Sequence, residues 1–171
     1  SMGGLLGIMA ESAKPGLFAA LVLVDITPRW ETRGVERIMA FMRAHPQGFA
    51  SVHEAQAAVG DYLPHRARSR DPARLEKLLV RMDNGRLRWH WDPRLLDTVA
   101  AEAERWGPPL HEAARALRLP VLLVSGARSD VVSRHTIDEF MQLVPHAEHQ
   151  QLADATHMVA GDANDRFTDT I

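Results

Sequence analysis

The sequence predicts an α/β fold built on a parallel sheet, and three segments carry this prediction. Leu17 to Asp25 and Pro120 to Gly126 are apolar runs without polar alternation, a pattern typical of strands that are covered on both faces. Glu148 to Leu152 is a third, more polar segment with the character of an edge strand. Helical patterns separate the three segments. Alternating strands and helices of this kind predict an α/β architecture with about three parallel strands in this chain.

Composition limits the classes of protein to which the chain can belong. Its 171 residues include no cysteine, which excludes a disulfide framework, a thiol nucleophile and a cysteine-based zinc site. The longest apolar run, Leu17 to Val24, is far shorter than the roughly 20 residues that a membrane-spanning helix needs. We therefore expect a cytoplasmic protein without a membrane partner.

A helix is predicted directly after the first residue. Met2 to Ala13 has helical character, and Pro15-Gly16 ends it. Small residues in this segment allow the helix backbone to approach a sheet closely. They are Gly3, Gly4, Gly7 and Ala10.

A long insertion is predicted between the first two strands, where a simple crossover needs only about a dozen residues. We predict an α/β core at residues 1–28 and 119–171 and a helical cap or lid at residues 29–118, over the carboxyl end of the sheet where such folds bind ligands. The predicted helices contain Val35, Ile38, Met39 and Met42; Val52, Ala55 and Val59; Leu75, Leu78, Leu79 and Met82, after a cap at Asp71 and Pro72; and the segments from Pro93 to Arg105 and from Pro108 to Leu117.

Three motifs in this chain order suggest a family. Ser1-Met2-Gly3-Gly4 precedes the first helix, Gly126-Ala127-Arg128-Ser129-Asp130 follows the second strand, and Thr156-His157-Met158 precedes a terminal helix. Together they resemble the α/β-hydrolase superfamily from its nucleophile to its histidine, with the same order of serine, acid and histidine. Asp25-Ile26-Thr27-Pro28 and Trp89-His90-Trp91-Asp92-Pro93 resemble bacterial members described as esterases or cofactor-free peroxidase-like hydrolases. The resemblance implies no cofactor.

The resemblance also implies a role for each residue of the motifs. Ser1 would be the nucleophile, His157 the general base and then acid, and Asp130 the acid that orients the imidazole. The amide of Met2 would donate one hydrogen bond to the oxyanion. The glycine and strand that precede an elbow serine, and the front half of the fold, are expected upstream of this sequence.

Each of these assignments has an alternative. Asp25 competes with Asp130 for the role of the acid, because it too ends a buried strand, although Asp130 is favoured. If Ser1 remained from a cleaved purification tag, it would have no catalytic role. His157 alone would more often be a capping or surface histidine.

Other side chains suggest binding sites less clearly. Trp30, Trp89 and Trp91 are candidate substrate-binding residues, and the alternative is that they form the core of the helical insertion together with Trp106. His146, His149 and His157 match no zinc spacing, so we expect no metal site. The basic stretch from His65 to Arg70 lacks interleaved aromatic residues and is interpreted as a solvated loop, so no nucleic-acid partner is expected.

The leading functional prediction is a serine hydrolase that acts on a small-molecule carboxylic ester or a related carbonyl substrate through an acyl-serine intermediate. One alternative is an N-terminal-nucleophile hydrolase in which the Ser1 amine is the base, which predicts antiparallel, alternating strands. Another is a non-catalytic binding or structural remnant of a hydrolase fold.

Overall fold

The computed structural model describes residues 1–64 and 72–171, and of residues 99–104 it describes only the backbone. The chain forms two compact units. The larger unit contains residues 1–37 and 102–171, and the smaller unit contains residues 38–101. The smaller unit falls inside the insertion predicted at 29–118, whereas residues 29–37 and 102–118 belong to the larger unit.

The described elements alternate between helices and strands. In chain order they are α1 (Met2–Ala13), β1 (Leu21–Val24), α2 (Thr32–Arg43), α3 (Val52–Tyr62), α4 (Pro72–Glu76), β2 (Leu79–Arg81), β3 (Leu87–Trp89), α5 (Arg94–Ala116), β4 (Val121–Gly126), α6 (Arg134–Leu143), β5 (Glu148–Leu152), α7 (Val159–Asp162) and α8 (Asn164–Thr170). No helix in the described part of the chain is both long and apolar enough to cross a membrane.

The larger unit contains a three-stranded parallel sheet, which confirms the predicted α/β class. Its strand order is β1-β4-β5, with Leu23 opposite Leu123 and Leu123 opposite His149. Leu23, Leu123 and Val124 are fully buried. The apolar character of β1 and β4 therefore places side chains in the core of this unit.

The first strand is shorter than predicted, because it begins at Leu21 and not at Leu17. The carboxylate of Glu11 accepts the backbone amides of Gly16 and Phe18 at 2.7 and 3.0 Å. These bonds hold the segment after α1 in a turn, so the amide of Phe18 is not available to a strand partner. Apolar character alone did not reveal this local hydrogen bonding.

Helix α1 packs against β1 through two of its glycines, as predicted. A Cβ atom on Gly4 would lie 2.7 Å from Cγ2 of Ile26, and one on Gly7 would lie 3.3 Å from Cδ2 of Leu21. Because Gly4 faces the residue just past the end of β1 while Gly7 faces its start, the two elements run in opposite directions. The beginning of α1 therefore lies at the carboxyl end of β1.

In the smaller unit, the helix predicted through Leu75, Leu78, Leu79 and Met82 is wrong beyond Glu76. Leu79–Arg81 is instead strand β2, which pairs antiparallel with β3. Between them lies Asn84-Gly85, and Gly85 has a φ of +79°. Asn-Gly is a strong hairpin signal, and it outweighs the helical spacing of the leucines. The predicted cap at Asp71 and the basic stretch His65 to Arg70 lie outside the described residues.

The two helices predicted from Pro93 to Arg105 and from Pro108 to Leu117 form one helix, α5. Pro108 and Pro109 lie inside it. A proline removes one backbone donor and normally breaks or kinks a helix interior, which is why the sequence predicts a boundary there. In α5 the helix continues through both prolines.

Candidate active site

Asp25 follows the last residue of β1 and has an unusual backbone conformation. Its φ is +50°, in the left-handed region, and the residue is fully buried. Its amide donates to the carbonyl of Val124 on the neighbouring strand at 2.8 Å. Aspartate tolerates left-handed geometry better than most residues, but it remains strained there by about 1–3 kcal/mol. Strain of this kind clusters at functional sites.

Three donors surround the Asp25 carboxylate. Oδ1 accepts the amide of Gly126 at 2.8 Å. Oδ2 accepts the hydroxyl of Ser129 at 2.5 Å and pairs with Nδ1 of His157 at 2.8 Å. The three hydrogen bonds fix both carboxylate oxygens and place Oδ2 against the imidazole.

His157 has the geometry of an oriented general base. Its side chain is 12% exposed, and Nδ1 faces a carboxylate that only accepts hydrogen bonds. This contact assigns the ring proton to Nδ1 and leaves the Nε2 lone pair available to accept a proton.

The loop that carries His157 is held by Asp162 of α7. Oδ2 of Asp162 accepts the amide of Thr156 at 2.9 Å and also the Thr156 hydroxyl. Thr156 Oγ1 in turn accepts the amide of Met158 at 3.3 Å. Thr156 is thus bonded to Asp162 directly, and Met158 is linked to it through the Thr156 hydroxyl. Because these residues flank His157, the bonds restrict the position of the imidazole.

Gly126 lets this loop cross closely over the end of β4. A Cβ atom at position 126 would lie 2.3 Å from the carbonyl oxygen of Ala155 and 2.5 Å from that of Thr156. The amide of Arg128 also donates to the Ala155 carbonyl at 2.9 Å. Only glycine fits here, so the glycine of the second motif brings the histidine loop to Asp25.

The structure does not bring Asp130 to His157, and on this point the sequence-based assignment is corrected. Oδ2 of Asp130 accepts Nη1 of Arg37 at 2.7 Å, and its side chain is 33% exposed. The reason is positional: Asp25 follows β1 directly, whereas Asp130 lies four residues beyond Gly126. In the loop after β4 it is Ser129 that reaches the carboxylate of Asp25. The alternative acid considered from sequence is the one that meets the histidine.

Ser1 and Met2 begin α1 at the carboxyl end of β1. The Ser1 carbonyl accepts the amide of Gly4 at 2.8 Å, and within the described chain the Ser1 side chain makes no capping hydrogen bond to the helix. Burial lowers the pKa of the Ser1 amino group, and the Asp25 carboxylate acts in the opposite direction, so the two residues lie within electrostatic range. The amide of Met2 belongs to the first turn, where amides lack partners inside the helix.

The predicted substrate-binding tryptophans have different surroundings. Trp30 is half-buried in the larger unit. Trp89 is buried in the core of the smaller unit with Phe49, and Trp91 stacks on it with ring centroids 5.1 Å apart. Trp89 and Trp91 also line a cavity of about 330 Å³ within the smaller unit. Trp89 therefore serves packing, and substrate contact by any of the three stays a prediction.

The other two histidines considered from sequence have separate partners. Nε2 of His146 lies 3.0 Å from the carbonyl of Leu119. Nε2 of His149 lies 2.9 Å from Oγ of the buried Ser125, and burial lowers the pKa of His149. The His149 bond connects β5 to β4, and the His146 bond connects the segments that precede these two strands. Both histidines therefore have a structural role.

No family model matches the chain. Among curated proteins it is similar to a 3-hydroxybutyrate-oligomer hydrolase from Cupriavidus necator, with 29% identity over 92% of this chain and 57% of the relative. The chain thus spans little more than half the length of that relative.

Solved structures resemble the chain along almost all of its length. The crystal structure of an E-2-(acetamidomethylene)succinate hydrolase matches with a TM-score of 0.83 and 23% identity, covering 99% of this chain and 62% of that one. A novel esterase from Mycobacterium tuberculosis matches with a TM-score of 0.71 and 24% identity, over 99% and 56% of the two chains. The chain has the fold of the α/β-hydrolases, as the resemblance implies.

Proposed function

We propose that the protein is a serine hydrolase that cleaves a carboxylic ester or a related carbonyl substrate. Ser1 is the nucleophile, His157 the general base and acid, and Asp25 the carboxylate that orients the histidine. The observation that carries the proposal is the 2.8 Å contact between Nδ1 of His157 and Oδ2 of the buried Asp25, at the end of the sheet where α1 begins.

In the first half of the reaction, Oγ of Ser1 attacks the substrate carbonyl carbon and its proton passes to Nε2 of His157. The imidazolium that forms is stabilised by Asp25, which stays ionised. The oxyanion accepts a hydrogen bond from the amide of Met2, at the positive end of the α1 dipole. Collapse of the tetrahedral intermediate breaks the bond to the leaving alcohol, which takes the proton from His157.

In the second half, water attacks the acyl-Ser1 ester and gives a proton to Nε2 of His157. The second tetrahedral intermediate expels Oγ of Ser1, which regains its proton from the histidine. The products are a carboxylic acid and the free enzyme. This cycle requires no metal or cofactor, because each proton moves between Ser1, His157 and the substrate or water.

The named relatives support a hydrolase. Their names describe hydrolysis of 3-hydroxybutyrate oligomers, hydrolysis of E-2-(acetamidomethylene)succinate and an esterase activity. These names guide the choice of test substrates for this protein. The alternative in which the Ser1 amine is the base has less support, since it expects antiparallel strands and the sheet of the larger unit is parallel.

The proposal is tested by ester hydrolysis with the full-length protein. With p-nitrophenyl acetate and with 3-hydroxybutyrate dimer as substrates, Ser1→Ala and His157→Ala should each lower kcat by about ten-thousand-fold. Ser12→Ala, a serine near the other end of α1, is the matched control and should retain the parent kcat. A parent protein that hydrolyses neither ester and does not react with an organophosphonate would support the non-catalytic alternative instead.

A further inference from the structure

Ser129 makes three hydrogen bonds with one hydroxyl group. Its Oγ donates to Oδ2 of Asp25 at 2.5 Å and accepts the amides of Val131 at 3.1 Å and Val132 at 3.0 Å. A serine hydroxyl has one donor and two acceptor sites, so its capacity is filled. With both lone pairs occupied by amides, the hydroxyl hydrogen has one direction left, which is toward Asp25.

The carboxylate of Asp25 needs such a fixed donor. The terminal torsion of an aspartate side chain is soft, so its plane is set by hydrogen bonds rather than by a rotamer well. Gly126 holds Oδ1 through a backbone amide. Oδ2 is shared by Ser129 and the catalytic candidate His157. Without Ser129, Oδ2 of Asp25 would be held only by the imidazole of His157, which is the group that Oδ2 has to orient.

We propose that Ser129 is a positioning residue, which fixes Oδ2 of Asp25 in the place where it accepts the Nδ1 proton of His157. This inference rests on the proposed function, since it assigns Asp25 to the triad. Ser129 acts through Asp25 and touches no reacting atom. The sequence predicts the acid, Asp130, in the loop after β4. In the structure this loop supplies the hydroxyl of Ser129, which holds Asp25 at the end of β1.

A purely structural role would also use the hydroxyl, because it accepts two amides of the loop. The test therefore compares three variants of the full-length protein: Ser129→Ala, Ser129→Thr and the control Ser133→Ala. Thr keeps the hydroxyl. Ser133 lies in the same loop region, where it accepts the amide of Thr136 and donates to Glu31. The described hydrogen bonds of the Asp25 carboxylate come from Gly126, Ser129 and His157.

Two readouts are measured for each variant. One is the Nδ1 proton resonance of His157 by NMR, and the other is kcat and KM for p-nitrophenyl acetate. In Ser129→Ala the resonance should move upfield and broaden, and kcat should fall about 10- to 100-fold while KM stays within about twofold. Ser129→Thr should restore both, and Ser133→Ala should lower Tm without altering the resonance.

The inference would be overturned by a Ser129→Ala protein whose Nδ1 resonance and kcat match the parent, or by an equal change of the resonance in Ser133→Ala. If Ser129→Ala does not fold, Ser129→Cys keeps a weak donor of similar shape, and it should give an intermediate upfield movement. Failure of the proposed function is recognised separately. A parent without ester hydrolysis removes the kinetic readout, but the NMR comparison still decides whether Ser129 positions the Asp25–His157 pair.

Discussion

Nδ1 of His157 lies 2.8 Å from Oδ2 of Asp25, although 132 positions separate the two residues in the chain. The contact joins the end of β1 to the loop after β5. Backbone features at both ends support it: a left-handed φ at Asp25 and a close crossing over Gly126. The proposed active site depends on this pair.

The first prediction separates the two candidate acids. Asp25→Asn should lower kcat for a short activated ester by about 10³- to 10⁴-fold, because an amide nitrogen facing Nδ1 favours the wrong histidine tautomer. Asp130→Asn should change kcat by less than about threefold, since it removes only a partly exposed ion pair with Arg37. Steady-state kinetics on the full-length protein decide between them. Equal losses in the two variants would contradict the assignment.

The second prediction concerns the close crossing at Gly126. Gly126→Ala should lower the free energy of unfolding by about 1–3 kcal/mol, because the new methyl group would overlap two carbonyl oxygens of the histidine loop. It should also lower kcat, since relief of the overlap moves His157 away from Asp25. Urea denaturation and ester kinetics measure the two effects. Gly107→Ala is the control, because a Cβ there meets no described atom within 4 Å and the residue lies inside α5.

The third prediction concerns the anchor of the histidine loop. Asp162→Ala removes the acceptor of the Thr156 amide and hydroxyl, so it should lower the free energy of unfolding by about 1–3 kcal/mol and reduce kcat. Asp169→Ala, at an exposed position of α8, should do neither. The measurements are Tm and kcat. A stable Asp162→Ala protein with the parent kcat would show that the loop is held by other contacts.

The fourth prediction concerns pH. Backbone amides, first that of Gly16, hold the pKa of Glu11 below its ordinary value of 4.5. The unfolded chain therefore binds this proton more readily than the folded chain. The contribution of Glu11 to stability is present above pH 4.5 and is lost as pH falls through the lower, folded pKa.

Glu11→Gln should accordingly flatten the dependence of the unfolding free energy on pH in the acid range below the ordinary value of 4.5. Denaturation with urea at a series of pH values measures this slope. Glu36→Gln, at an exposed position of α2, should keep the slope of the parent. The interpretation fails if the Glu11 variant and the parent have parallel curves over that range.

The parallel sheet could be predicted from the sequence more fully than the contacts of the candidate site. Uninterrupted apolar runs mark β1 and β4 because strands inside a fold need apolar side chains, and the glycines of α1 mark its approach to β1. The helical spacing of the leucines predicts a helix where hairpin β2–β3 forms, although Asn84-Gly85 is itself a hairpin signal in the sequence.

The choice between Asp25 and Asp130 depends on geometry that one sequence does not contain. Both follow buried strands, and both reach the same end of the sheet. What distinguishes them is a left-handed φ at residue 25, a hydroxyl at Ser129 that turns toward it and an arginine that pairs with Asp130. Each of these is a tertiary contact or a backbone torsion, and neither follows from residue type at a given spacing.

The proposed Ser1–His157–Asp25 triad is tested most directly by the rate at which an organophosphonate labels Ser1 in the full-length protein, followed by intact-mass and peptide mass spectrometry. We expect a single adduct on Ser1 in the parent and in Asp130→Asn, at similar rates. In Asp25→Asn and His157→Ala, labelling should be slower by about a thousand-fold or more. An adduct on another residue, or labelling of Asp25→Asn at the parent rate, would contradict the proposed triad.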